Sequence, residues 1–166
     1  NPTRENMEKV LGHLEEFVET RTPNFVFKAH VGENEILTKY YHRFMERSWE
    51  QLTKKYDFEP EGPILTEIFH IHADFAARTI GLPGIGALGA CFGKVITLDS
   101  PSSRPPGQFT WASTAHHEFA HVMTLQLSKG RVPRWFTEGL SVYEERQHSK
   151  WWYRDMDRKL FDAYMN

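Results

Sequence analysis

The stretch "STAHHEFAHVMTL", residues 113–125, carries three histidines and one glutamate on a run with helical spacing. His117, Glu118 and His121 spell H-E-x-x-H. Residues four apart on a helix lie about 40° apart around the axis and about 6 Å along it. Both imidazoles can therefore reach one metal ion from adjacent turns. Glu118 lies about 100° from His117 and about 60° from His121, placed to touch a water on that ion rather than to ligate beside both histidines. The pattern divides into two ligands and one base. His116 lies about 100° to the other side, among Ala112, Phe119, Ala120, Met123 and Leu127, and reads as a packed or hydrogen-bonded histidine. By itself the motif is also compatible with a solvated helix face, since the chain holds nine histidines. Two imidazoles are too few in any case, because a catalytic zinc takes three protein ligands and an open position.

A third ligand is sought downstream, in "VPRWFTEGLSVYEE", residues 132–145. Ser128-Lys129-Gly130 is a helix stop, and Pro133 suits the first turn of a second helix. The short loop between them fits antiparallel neighbours. Glu138, separated from His121 by residues 122–137, falls in the second turn, where it could face the two histidines. Taken alone it reads equally as an exposed helix carboxylate.

Working outward, residues 3–20 read as a polar helix with Val10, Leu14, Phe17 and Val18 as its apolar stripe, ended by Pro23. "NFVFKAHV", 24–31, alternates as a half-buried strand, with Phe25, Phe27, Ala29 and Val31 on one side. A long helix is expected over 34–56, a strand over 64–71 and a short helix over 73–80. The Gly-rich segment that follows reads as one or two strands, the last at about 94–99. Helices are expected at about 111–128, 133–147 and 155–164. Strands and helices come first and helices last, so the fold class is α+β, a small mixed sheet packed on helices.

Length and composition agree with one domain over residues 1–166: the chain is 40% hydrophobic and 14% aromatic, enough for a sizeable core. Net charge is −2 with no basic run, so nucleic-acid binding has no electrostatic support. A single cysteine, Cys91, excludes an internal disulfide and a Cys-rich zinc framework. No apolar run is long enough to span a bilayer, and "NPTRENMEKV" is no signal peptide. Localisation is not specified by the sequence.

"HHEFAH" followed by "RWFTEGLSVYEE" resembles the gluzincin metallopeptidases, whose pattern is H-E-x-x-H with a glutamate ligand on the next helix, commonly in a W-x-x-E-G setting. The nearest likeness is to the peptidase MA-like domain of large bacterial proteins that also carry tetratricopeptide repeats, and "GALGACFGKVITLDSPSSRPPGQFTWAST" resembles that group too. The resemblance covers about residues 60–147. It implies that His117, His121 and Glu138 hold Zn2+ and that Glu118 is the catalytic base. It also implies a peptide or protein substrate, and a parent protein with tetratricopeptide repeats or a C-terminal subdomain.

Two departures from the family pattern matter. Thermolysin-type members have an Asp four residues after the ligand glutamate, where this chain has Val142. The local pattern is nearer the aminopeptidase-like branch. That branch, however, anchors the substrate amine with an acidic G-x-M-E-N strand, and the comparable strand here, Gly89-Ala90-Cys91-Phe92-Gly93, has no acid. An endopeptidase is therefore expected. The second departure is length. Only residues 139–166 follow Glu138, whereas gluzincins add a subdomain that forms the lower cleft wall and supplies a Tyr or His for the oxyanion. The chain is thus expected to be the catalytic part of a longer protein.

Within the chain, the oxyanion candidates are Tyr143, His148 and Tyr153. Glu145, about 20° from Glu138 on the same face, is either an acceptor for a ligand histidine's second nitrogen or a solvated carboxylate. Gly89, Ala90, Cys91 and Phe92 form either a rim strand that pairs with an extended substrate or a glycine-bent structural strand. Trp135 and Phe136 are expected in the core. His70 and His72, of "HIH", read as surface histidines. Besides an active zinc peptidase, the sequence admits a zinc-holding domain with a binding or assembly role, and zinc hydrolysis of a non-peptide amide.

Overall fold

The computed structural model describes residues 2–82, 84–152 and 161–165. The chain runs α1 (Pro2–Leu14), β1 (Phe17–Arg21), β2 (Phe25–His30), α2 (Asn34–Leu37), α3 (Arg43–Tyr56), β3 (Ile64–Phe69), α4 (His72–Ile80), β4 (Gly89–Cys91), β5 (Val95–Asp99), α5 (Trp111–Leu127) and α6 (Arg134–His148). Among the described residues the fold is α+β: a five-stranded mixed sheet packed with helices α1–α6. The expected helix over 34–56 is α2 and α3 joined through a wide π turn at Thr38–His42. Of the helix expected over 155–164, residues 153–160 lie outside the described residues, and 161–165 are helical.

The first helix does not continue to residue 20. It ends at Leu14, and Phe17–Arg21 is a strand paired antiparallel with β2, from Phe17 opposite His30 to Arg21 opposite Val26. Phe17 and Val18 fall at helical spacing after Leu14, which makes the stripe look continuous. The tertiary partner decides otherwise. Phe17 packs on Phe69 of β3, ring centroids 5.4 Å apart, a contact that local periodicity does not encode. Val31 lies beyond β2 and is exposed, while Phe25, Phe27 and Ala29 are buried as expected.

The strand order is β1-β2-β3-β5-β4. β2, β3 and β5 are parallel, and β1 and β4 close the two edges antiparallel. Parallel strands are covered on both faces. On one face Ile64, Ile68, Ile96 and Leu98 meet Met45, Trp49 and Leu52 of α3 and Ala115, Phe119 and Val122 of α5. On the other, Phe69 meets Val10 of α1 and Phe75 and Ala77 of α4. Phe119 is the wedge of the first layer, edge-on to Phe25 at 5.4 Å and stacked on Trp49 at 5.7 Å. That packing fixes the phase of α5 and turns His117, Glu118 and His121 into the cleft bordered by β4.

A buried polar knot holds the loop leading into β4. Asp99, fully buried, is bonded by His72 Nδ1 at 2.8 Å and Arg104 Nε at 3.2 Å, and His72 Nε2 donates to the Ile85 carbonyl at 2.9 Å. His72 is therefore structural. Its neighbour His70 is partly buried, with its ring 4.1 Å from that of His30. Among the described residues no helix is long and apolar enough to cross a membrane.

Candidate metal centre

α5 reverses into α6 through Lys129 and Gly130, both at positive φ, with the Gly130 N–H donating to the Leu125 carbonyl at 2.7 Å. The two helices then run antiparallel: early α5 meets late α6 (Ser113 with Glu145), and late α5 meets early α6 (Thr124 with Thr137). This register brings Glu138 opposite the histidine pair. His117 Nε2 and His121 Nε2 stand 3.0 Å apart, and each is 3.4 Å from Glu138 Oε2. His117, His121 and Glu138 form the group that could hold a metal ion among the described residues.

The hydrogen bonds behind the rings fit that use. A carboxylate only accepts, so the Glu145 carboxylate makes His117 Nδ1 the protonated nitrogen. In the neutral ring the Nε2 lone pair is then left facing His121. The Thr124 hydroxyl donates to the His121 carbonyl at 3.1 Å, so it must accept from Thr137. The Thr137 hydroxyl, its proton thus used, accepts from His121 Nδ1 at 2.8 Å. His121 also presents an Nε2 lone pair. Two lone pairs and a carboxylate oxygen converge with no donor between them, an arrangement that a cation relieves. A tetrahedral ion with arms of about 2.0–2.1 Å separates its ligands by about 3.3–3.4 Å, close to the spacings found.

Glu118 is buried under the rim, its side chain against Gly89, and burial pushes its carboxyl up to about 7, with Glu138 and Glu145 adding to the rise and His117 opposing it. Burial lowers the His121 pKa, and the neighbouring His117 lowers it further. His116 sits on the opposite side, fully buried, with Nδ1 3.0 Å from Ser48 Oγ and its ring 4.6 Å from that of His148. It takes no part in the cluster.

A cleft of about 1190 Å³ opens over these groups, lined on one side by residues 85–92 and on the other by α5 and α6. Gly89, Ala90, Cys91 and Phe92 all line it. The Phe92 N–H donates to the Val95 carbonyl and the Leu88 carbonyl accepts from the Asp99 N–H, so alternate residues of β4 face β5. Gly89 and Cys91 therefore turn their backbone N–H and C=O to the free edge. The Cys91 thiol is pushed up to about 12 by burial and stays protonated. The carboxylates lining the cleft, among the described residues, are Glu118, Glu138 and Glu145; Glu138 faces His117 and His121, and Glu145 bonds His117 Nδ1.

Several sequence expectations are corrected or resolved here. Trp135 and Phe136 are not core: they are 75% and 47% exposed. Tyr143 is also on the outer surface, under the Lys55 ammonium, which is 4.7 Å from its ring. His148 bonds Gln51 at 3.0 Å and stacks on Trp152, which lines the cleft where His148 itself does not, and Tyr153 lies outside the described residues. Glu145 is the buried acceptor for His117, not a solvated carboxylate. Sequence reasoning missed Thr137 and Thr124. Their signal was position, one residue before Glu138 and one helical turn after His121. No protein-family model, curated protein or solved structure matches the chain.

Proposed function

We propose that the chain is a zinc-dependent peptidase of the gluzincin type, cutting within polypeptides. The convergence of His117, His121 and Glu138 beside the buried Glu118 carries this reading. A site of two imidazoles and one carboxylate with an open side suits zinc. When bound, zinc supplies Lewis-acid polarisation of the substrate carbonyl and lowers the pKa of water. Glu118 takes the proton of the attacking water and passes it to the leaving amine. Its burial favours that exchange, because a carboxyl near neutrality gives and takes a proton with little driving force either way. Glu145 and Thr137 hold the two imidazoles in the tautomer that offers Nε2. The free β4 edge at Gly89 and Cys91 docks an extended backbone. Among the described residues the cleft carboxylates are Glu118, Glu138 and Glu145, which this reading uses as base, ligand and support for His117, so no further described acid is left to anchor a substrate N-terminal amine, which favours internal cleavage.

The test is zinc content together with cleavage of a denatured protein by the wild type and Glu118→Ala. Glu118→Ala should keep about one zinc per chain and lose about 10²–10⁴-fold in rate. Loss of zinc in Glu118→Ala, or full zinc content in both His121→Ala and Glu138→Ala, sinks the assignment. A second reading, a zinc-holding domain that acts by binding, is favoured by the exposed Trp135, Phe136 and Tyr143 on the outside of α6. It prevails if the wild type holds zinc and cleaves nothing.

A further inference from the structure

Gln126 stands on α5 five residues beyond His121, outside the metal cluster. Its side-chain oxygen accepts from the Glu61 backbone N–H at 2.6 Å. Its amide donates to the Glu61 carbonyl at 3.4 Å and to the Gly93 carbonyl at 3.3 Å. One side chain thus joins the metal-binding helix, the loop before β3 and the tip of the β4–β5 hairpin. At the tip Gly93 is at φ +79, and a surface ion pair from Lys94 to Glu61 adds a contact that salt screens.

The opposite end of β4 meets α5 as well, at Gly89 against Glu118. Eight helical residues from Glu118 to Gln126 rise about 12 Å. Four strand residues from Gly89 to Gly93 span about 13 Å. β4 therefore runs alongside α5, held at one end by the Glu118 contact and at the other by the Gln126 amide. An edge strand of three residues has few bonds of its own to fix its height above the helix.

We propose that Gln126 is a positioning residue: it fixes the β4 edge over the metal-binding helix and so sets the grip of the cleft on an extended peptide backbone. The inference rests on the peptidase reading, in which Gly89 and Cys91 dock that backbone. A hairpin tip released from Gln126 samples more positions, and binding a peptide must then order it again.

The experiment compares two chelating inhibitors on zinc-loaded protein: acetohydroxamate, which reaches only the metal, and a peptidyl hydroxamate, whose backbone also needs the rim. Gln126→Ala should weaken the peptidyl hydroxamate about three- to tenfold, the worth of one or two hydrogen bonds. Acetohydroxamate and zinc affinity should not change, and on a long peptide KM should rise with kcat held. Gln126→Glu can still accept from Glu61 but cannot donate to Gly93, and should behave as the alanine variant does. Unchanged peptidyl hydroxamate binding in Gln126→Ala overturns the proposal, as does equal weakening of both inhibitors. If acetohydroxamate fails to bind the wild type, the metal-centre reading falls instead. Amide exchange at residues 89–94 is independent of that reading: it should quicken in Gln126→Ala, and unchanged exchange overturns the positioning role.

Discussion

A single missing Cβ lets Glu118 pack against the rim strand. A methyl group on Gly89 would meet Glu118 Cγ and Oε1 at 2.8 Å and Leu98 Cδ2 at 2.9 Å. All three contacts are under 3.0 Å, so a methyl group there shifts the strand or displaces Glu118 and Leu98, and either change moves Glu118 relative to the rim. Gly89→Ala should therefore keep zinc and lose activity, by up to about 10²-fold for a shift near 1 Å. Wild-type kcat/KM in Gly89→Ala would show that the contact does not place the base. His116 gives a second residue-scale expectation. Burial, with His148, Lys55 and His117 adding positive charge, lowers its pKa to about 3. A folded-state pKa below the unfolded value of 6.5 means that the neutral ring stabilises the fold fully above pH 6.5, and that this contribution is lost as pH falls toward 3. Each pH unit in that window weighs up to about 1.4 kcal/mol. In chelator-treated protein, His116→Gln should lose stability less steeply than wild type across the window, measured by urea unfolding at stepped pH. Equal slopes would remove His116 from the account. At this scale the sequence was legible where helical angle alone decides, as it separated His116 from His117. It was silent on Gly89 and Glu118, whose contact depends on where a distant strand lands.

Between elements, the α5–α6 seam is polar, and this is what made it hard to foresee. α6 buries Thr137, Ser141, Glu144 and Glu145. Glu145 serves His117, Thr137 serves His121, and Glu144 is held by Lys55 Nζ at 2.8 Å and by the Tyr56 hydroxyl. Thr137→Val removes the acceptor for His121 Nδ1 while keeping the shape of the side chain. Loss of such a supporting partner typically weakens metal affinity about 10- to 100-fold. Thr137→Ser should restore most of it, and competition with a chromophoric chelator measures both. A valine variant that binds zinc as the wild type does would show that the hydroxyl relay is incidental. The extents of α5, α6, β3 and α4 were legible because chain breakers such as Pro63, Gly81, Gly130 and Pro133 agree there with the apolar pattern. β1 was not, because Phe17 and Val18 satisfy helical spacing and only the pairing with β2 makes them a strand.

For the whole molecule, α6 is inverted relative to an ordinary surface helix. Its polar face lies against α5, and its apolar side chains Trp135, Phe136 and Tyr143 point outward. Hydrophobicity alone assigns Trp135 to the core, and that rule fails wherever a helix turns its polar face inward to build a site. The inversion yields a contrast between two aromatic residues on neighbouring helices. Phe119, fully buried between Phe25 and Trp49, should cost about 3–5 kcal/mol on truncation to alanine. Trp135 is larger, but its outward ring makes Trp135→Ala a surface change, expected within about 0.5 kcal/mol. Guanidinium unfolding of the two variants in the same buffer checks the assignment. A loss of several kcal/mol in Trp135→Ala would mean that the outer face of α6 is covered in solution, either by this chain or by a second copy. Repeating the measurement over a range of protein concentrations separates these cases, because only an intermolecular cover makes the midpoint concentration-dependent.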